Sequence, residues 1–222
     1  MTAASESFRE IVSLVKPGAR VLDIGCGEGA LLELLTEQKG VDGRGLEISP
    51  LGVQACLSRG LAVVQGDADR DLADFPSQAF DYAILSQTLQ AVRAPRMVLG
   101  ELLRIAARAV VSLPNFGYWK VRLNLMASGR MPMTSSLSEP WYSTPNIHLC
   151  TLRDFTDLCA ELGVRIEASA TLSDGRPARP MDPGHWSENW RAEQAIFLLS
   201  RAGGGVRAAA APTIGLDDLF AR

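Results

Sequence analysis

RVLDIGCGEG, running from Arg20 to Gly29, is the stretch on which the fold turns. Arg20 to Ile24 is a short apolar run of strand composition. It enters three glycines at alternate positions, Gly25, Gly27 and Gly29. Ala30 to Gln38 (ALLELLTEQ) then carries the leucine spacing of a helix, and Gly40 closes it. A strand that turns through glycines into a helix is the opening of a parallel βαβ unit. Glycine suits such a turn because the backbone must bend tightly and let a ligand come close. The helix start beyond it offers unpaired N–H groups to an anion.

Upstream, Ser5 to Val15 has apolar residues at helical spacing and is stopped by Pro17-Gly18. Downstream, the same form repeats. Gly43 to Ile48 reads as a strand, Leu51 to Arg59 as a helix and Leu61 to Gln65 as a strand. Asp67 to Phe75 is a polar connection. Phe80 to Leu85 is a fourth strand, Ala94 to Ala107 a helix, and Arg108 to Leu113 a fifth strand ended by Pro114. Alternating strands and helices predict a parallel sheet covered by helices on both faces. Ligands of such sheets lie outside the carboxyl ends of the strands, where strand order reverses.

After Pro114 the composition changes. Residues 115–147, rich in Met, Trp, Tyr, Pro and Ser, read as a lid or insertion. Thr151 to Leu162 is helical, with Thr151 as N-cap and Asp154 as its capping-box partner. Val164 to Thr171 and Ala195 to Ser200 read as the last strands. Ser173 to Glu193 reads as a polar loop holding three prolines. The expectation is one domain over residues 1–200 and a flexible tail over 201–222, in which Ile214 to Phe220 is the one candidate contact.

Composition excludes several classes. At 47% hydrophobic and 21% charged the chain is globular, and a net charge of −3 argues against nucleic acid as a partner. The four cysteines, Cys26, Cys56, Cys150 and Cys159, form no CxxC pair, so neither a zinc ribbon nor a disulfide framework is expected. His148 with Cys150 and Cys159 lacks metal-site spacing and a fourth ligand. The N-terminus lacks a basic region and a long apolar run, and no stretch approaches the ~20 apolar residues of a membrane span. A cytoplasmic protein without a membrane partner is expected.

The glycine segment also fits a dinucleotide fingerprint if Ala30 takes its third position. Asp23 argues otherwise. A carboxylate beside the turn is poorly placed for the two negative charges of a pyrophosphate. It suits a ligand with an ammonium and a sulfonium, such as S-adenosylmethionine, or S-adenosylhomocysteine after methyl loss. Asp23, Gly25, Cys26, Gly27 and Gly29 form the first part of this expected cofactor site. Glu47, with Ile48 beside it, ends the second strand and can accept from both ribose hydroxyls. Asp67 ends the third strand and can accept from the adenine amino group, with the backbone at Ala68 against the ring. Ser86 and Gln87 follow the fourth strand, where a methyl group would be presented. Only two histidines exist, His148 and His185, and His148 is the one candidate base.

DIGCGEG with LEIS and QGDAD resembles the class I methyltransferase family. PNFGYWKVRLNLMASGRMP followed by WYSTPNIHLCTLRDFTDLC is similar to the methionine-biosynthesis family MetW. The resemblance runs from about Val21 to Gly175. It implies a Rossmann-like class I methyltransferase fold, an α/β architecture with a seven-stranded, mostly parallel sheet binding S-adenosylmethionine. It also implies a place in methionine synthesis beside the homoserine O-acyltransferase MetX, as that enzyme's partner and activator. The alternative is an active methyltransferase on a small molecule. Whether the chain is a homodimer stays open.

Overall fold

The computed structural model describes residues 3–134, 137, 139–173 and 176–202. The expected contact at Ile214 to Phe220 and nearly all of the expected tail lie outside the described residues. Helix α1 (Ala3–Leu14) leads to β1 (Arg20–Ile24), α2 (Ala30–Lys39), β2 (Asp42–Glu47), α3 (Pro50–Ser58) and β3 (Ala62–Gln65). A short 3-10 turn (Asp71–Asp74) precedes β4 (Phe80–Ser86), α4 (Pro95–Ile105) and β5 (Ala106–Pro114). Then come α5 (Trp119–Ser128), α6 (Leu152–Glu161), β6 (Val164–Ser173), β7 (Arg176–Pro180), α7 (Trp186–Arg191) and β8 (Gln194–Arg201).

The strands form one sheet in the order β3-β2-β1-β4-β5-β8-β6-β7. The first five are parallel, and β8, β6 and β7 each run antiparallel to the strand before them in that order. Side-chain alternation explains the layers. In β4, Tyr82 and Ile84 join the core under α1 and α2, with Ile11 and Leu35. Ala83 and Leu85 point the other way, into the larger core under α4 and α6. There the rings of Phe155 and Phe197 stand 4.7 Å apart. Both faces are therefore apolar, and both need helices.

The sheet has eight strands where seven were expected. The extra strand, β7, lies in the stretch read as a polar loop, which also holds α7. Pro177 and Pro180 hide β7, because proline cannot donate to a ladder and reads as a strand breaker. An edge strand pairs on one side only and tolerates it. Arg179 of β7 makes a two-pronged ion pair with Glu188 of α7, with N···O distances of 3.1 and 2.6 Å. A second correction falls at the α4–β5 junction, where Ala106 already starts the strand read from Arg108. The capping box at α6 is as expected: the Thr151 hydroxyl accepts from the Asp154 N–H, and the Asp154 carboxylate accepts from the Thr151 N–H.

The lid segment is partly helical, through α5, and it is fastened by one buried carboxamide. Asn115 Nδ2 donates to the carbonyls of Asn189 at 2.9 Å and Ala192 at 2.8 Å. Its Oδ1 accepts from the N–H groups of Gly117 and Leu152. Strand β5, the lid, α6 and α7 thus share one hydrogen-bonding node. No described helix is long and apolar enough to cross a membrane.

Candidate cofactor site

Strand order reverses between β1 and β4, so the site is set where both strands end. Gly25 follows β1 with φ +71°, and its N–H donates to the Leu46 carbonyl of β2 at 2.7 Å. A Cβ there would stand 2.7 Å from Thr88 Cγ2 and Oγ1, so only glycine lets the first turn approach the β4 loop. Beside these turns opens a cleft of about 320 Å³. It is the size of the smaller pockets that hold organic ligands.

Of the expected residues, Gly25, Ile48, Asp67 and Ala68 line this cleft. Asp23, Cys26, Gly27, Gly29, Glu47, Ser86 and Gln87 are not among its lining residues and belong to the frame around it. Glu47 is only 7% exposed; its two carboxylate oxygens accept from the N–H groups of Gly27 and Ser49, both at 2.8 Å. It therefore joins the glycine turn to the start of α3. A carboxylate has about four lone-pair directions, so two remain for further donors such as hydroxyls. Asp67 is held by its own loop: its N–H donates to Asp71 at 2.7 Å, and its Oδ1 accepts from Asp69 N–H at 3.0 Å.

Asp23 is 2% exposed. Burial, and then the charge of Glu47, push its carboxyl from the ordinary 3.8 up to about 7. A group so placed gains most from a cation and would be penalised further by an anion. Two carboxyl groups so close to the turn suit a cationic nucleoside better than a diphosphate. Cys26 and Cys56 bring their sulfurs to 3.8 Å, and the Cys56 thiol donates to the Gly27 carbonyl. Burial raises both thiols, so neither is a thiolate nucleophile at neutral pH. Among the described residues, no group of three or more His, Cys, Asp or Glu could hold a metal ion.

Gln87 has φ +52°, a left-handed conformation unusual for a residue with a side chain. Its N–H donates to both oxygens of Ser112, and Ser86 Oγ lies 3.2 Å from Ser112 Oγ. His148 is not among the residues that line the cleft. It is exposed, and its Nε2 lies 3.4 Å from the Arg93 carbonyl, which can only accept. His185 instead caps α7.

Several residues of the cleft were not singled out from sequence. Ile147 of the lid lines it, held because Ile147 and His148 both donate their N–H to the Gln90 carbonyl, at 2.8 and 3.0 Å. The Gln90 carboxamide is itself buried without a protein partner. Asp69 also lines the cleft and clamps its far wall, accepting from Arg93 N–H at 2.8 and 3.0 Å and from Ala94 N–H at 2.9 Å. The signal was present in a helix, α4, that has no side-chain cap of its own. Asp69→Ala is expected to cost about 1–2 kcal/mol. Thermal unfolding should show a midpoint roughly 3–6 °C lower; an unchanged midpoint would remove Asp69 from this role.

Comparison with known proteins agrees with the fold. Solved structures of similar fold include a Thermotoga maritima S-adenosylmethionine-dependent methyltransferase described as a possible histamine N-methyltransferase. It is 17% identical with a TM-score of 0.65, over 90% of this chain and 89% of that one. A Mesorhizobium loti S-adenosylmethionine-dependent methyltransferase is 20% identical with a TM-score of 0.64, over 90% and 98%. The [4+2]-cyclase SpnF is 18% identical with a TM-score of 0.61, over 89% and 82%. Such likeness shows the fold, and the cyclase shows that the fold hosts other chemistry. A Rhodopirellula baltica protein, the bifunctional methionine biosynthesis protein MetXA/MetW, is 34% identical over 203 residues. The match covers 86% of this chain and 32% of that protein, so the chain spans about a third of its relative's length. The family model for methionine biosynthesis protein MetW matches residues 5–199. With its sheet order, its glycine turn and this match together, the chain belongs to the MetW family of methionine biosynthesis proteins.

Proposed function

We propose that this chain binds S-adenosylmethionine, or S-adenosylhomocysteine, in the cleft beside the glycine turn, and that it acts as partner and activator of the homoserine O-acyltransferase MetX. The observation that carries the partner role is the relative in which MetXA and MetW share one polypeptide. The cofactor role is supported by the buried, cation-seeking Asp23 next to a cleft lined by Gly25, Ile48, Asp67 and Ala68. In this reading Asp23 draws the ammonium and sulfonium end. Glu47 accepts from the ribose hydroxyls with the lone pairs its backbone bonds leave open. Asp67 and Ala68 take the adenine edge, and Ile48 packs on its face. Ser86 and Gln87 border the methyl group. The ligand then reports methionine supply to the acyltransferase through different affinities for two states of the complex.

The test is calorimetry with S-adenosylmethionine and S-adenosylhomocysteine, and acyltransferase assays with and without this chain and the ligand. Binding, and a ligand-dependent change in complex formation or rate, are expected. If saturating ligand leaves both unchanged, the sensing role is lost. The left-handed Gln87 keeps a second reading, methyl transfer to a small molecule, because strained residues gather at reactive sites. Methyl-labelled cofactor incubated with cell extract would label a product if that reading holds.

A further inference from the structure

Helix α5 buries little of its apolar surface. Of its ten residues only Val121 is buried, whereas Leu123, Leu125 and Met126 face solvent, Met126 at 81% exposure. Further along the lid, Trp141 and Tyr142 are 72% and 76% exposed, their rings edge to face at 5.8 Å. Just past the end of α5 opens an apolar cavity of about 880 Å³, larger than the cofactor cleft and lined by Phe116, Met131, Met133, Leu137, Trp141 and Leu149 among others. The face continues onto α7, where the Arg122 guanidinium lies 5.4 Å from the Trp190 ring.

A contiguous apolar face of this kind marks an interaction site more than a solvated surface. Met, Trp, Tyr and Arg are the side chains enriched where proteins meet. The charges on this face are few and of both signs: Arg130 and Glu139 both line the cavity. The complementary surface is therefore chiefly apolar. The Rhodopirellula relative supplies the occupant: there a module like this one is held on the same polypeptide as MetXA, which keeps the two at high effective concentration.

We propose that the lid face, formed by α5, Met131, Met133, Leu137 and residues 139–149, is the surface on which a separate MetX-type acyltransferase subunit docks. The proposal rests on the partner reading above and adds where that partner sits. The same lid roofs the cofactor cleft through Ile147, so a subunit seated there is in mechanical contact with the ligand site.

The experiment mixes the full chain with the separately produced acyltransferase of the same organism and measures binding by calorimetry and light scattering. Wild type should form a complex. Met126→Glu should weaken it at least ~30-fold, as loss of a buried anchor does, and Trp141→Ala serves as a second variant that introduces no charge. Leu57→Glu, on the exposed side of α3, should bind as wild type. If Met126→Glu and Trp141→Ala both bind as wild type, the docking face is wrong and the partner reading stands. If wild type forms no complex, both fall. If wild type instead self-associates and Met126→Glu yields monomers with no acyltransferase bound, the face is a homodimer interface and the proposal is overturned.

Discussion

Asp23→Asn is expected to make the ligand-free protein more stable at pH 8 and to lower its affinity for S-adenosylmethionine about 10- to 100-fold, the loss of one charged hydrogen bond. The two effects have one cause. The Asp23 carboxyl is raised from 3.8 to about 7 by burial and by Glu47. The folded chain therefore holds this proton more tightly than the unfolded chain. Stability from it is fully present below about pH 3.8 and is lost as pH rises through about 7. Above that the buried charge costs roughly 2–4 kcal/mol. Asparagine keeps the shape and removes the penalty. It also removes the charge that draws the ligand's cationic end, so binding suffers. In the wild type, ligand binding should release part of a proton near pH 6, and affinity should rise with pH up to about 7. Denaturant unfolding at pH 5 and pH 8, with calorimetry in buffers of different ionisation enthalpy, reads all three. A variant no more stable than wild type at pH 8, or one that binds equally well, would remove Asp23 from this role.

Gly29→Ala should be the most damaging single-methyl change in the turn. Gly29 has φ +81°, and a Cβ there would come within 2.4 Å of Leu61 Cδ1 and 2.9 Å of Cys56 Sγ. Backbone strain and overpacking add, for a loss of about 2–4 kcal/mol. The unfolding midpoint should fall by roughly 5–15 °C. Gly27→Ala is the internal comparison. Gly27 has φ +55° but open space around the added atom, so only the backbone cost of about 1–2 kcal/mol applies. Equal midpoints for the two variants would show that the packing of α3 against the turn contributes nothing.

The parts legible in the sequence are those whose physics is local. Strand β1, the glycine turn and the end of α2 at Gly40 lie where residue spacing put them, because each depends on neighbours a few positions away. The same holds for Thr151 and Asp154 at α6. What escaped depends on distance along the chain. Strand β7 needs β6 beside it, and its prolines speak only for the residues nearby. Helix α5 is apolar on several sides, so it has no period to read. Glu47 was read as a carboxylate for a ligand; that both its oxygens also brace Gly27 and Ser49 depends on the turn lying 20 residues upstream in the chain. Asp69 reaches Arg93 and Ala94, which no short pattern encodes.

The node at Asn115 has a consequence for how the protein is made. The Nδ2 of its carboxamide donates to the carbonyls of Asn189 and Ala192, residues 74 and 77 positions further along. On a ribosome, β1 to β5 emerge well before those carbonyls exist outside the exit tunnel. The nascent chain can therefore assemble its parallel half early while the roof over it hangs unfastened. Closure therefore waits on Asn189 and Ala192, and a premature stop codon before Ala192 would leave a sheet without β8 and a roof with nothing to fasten it.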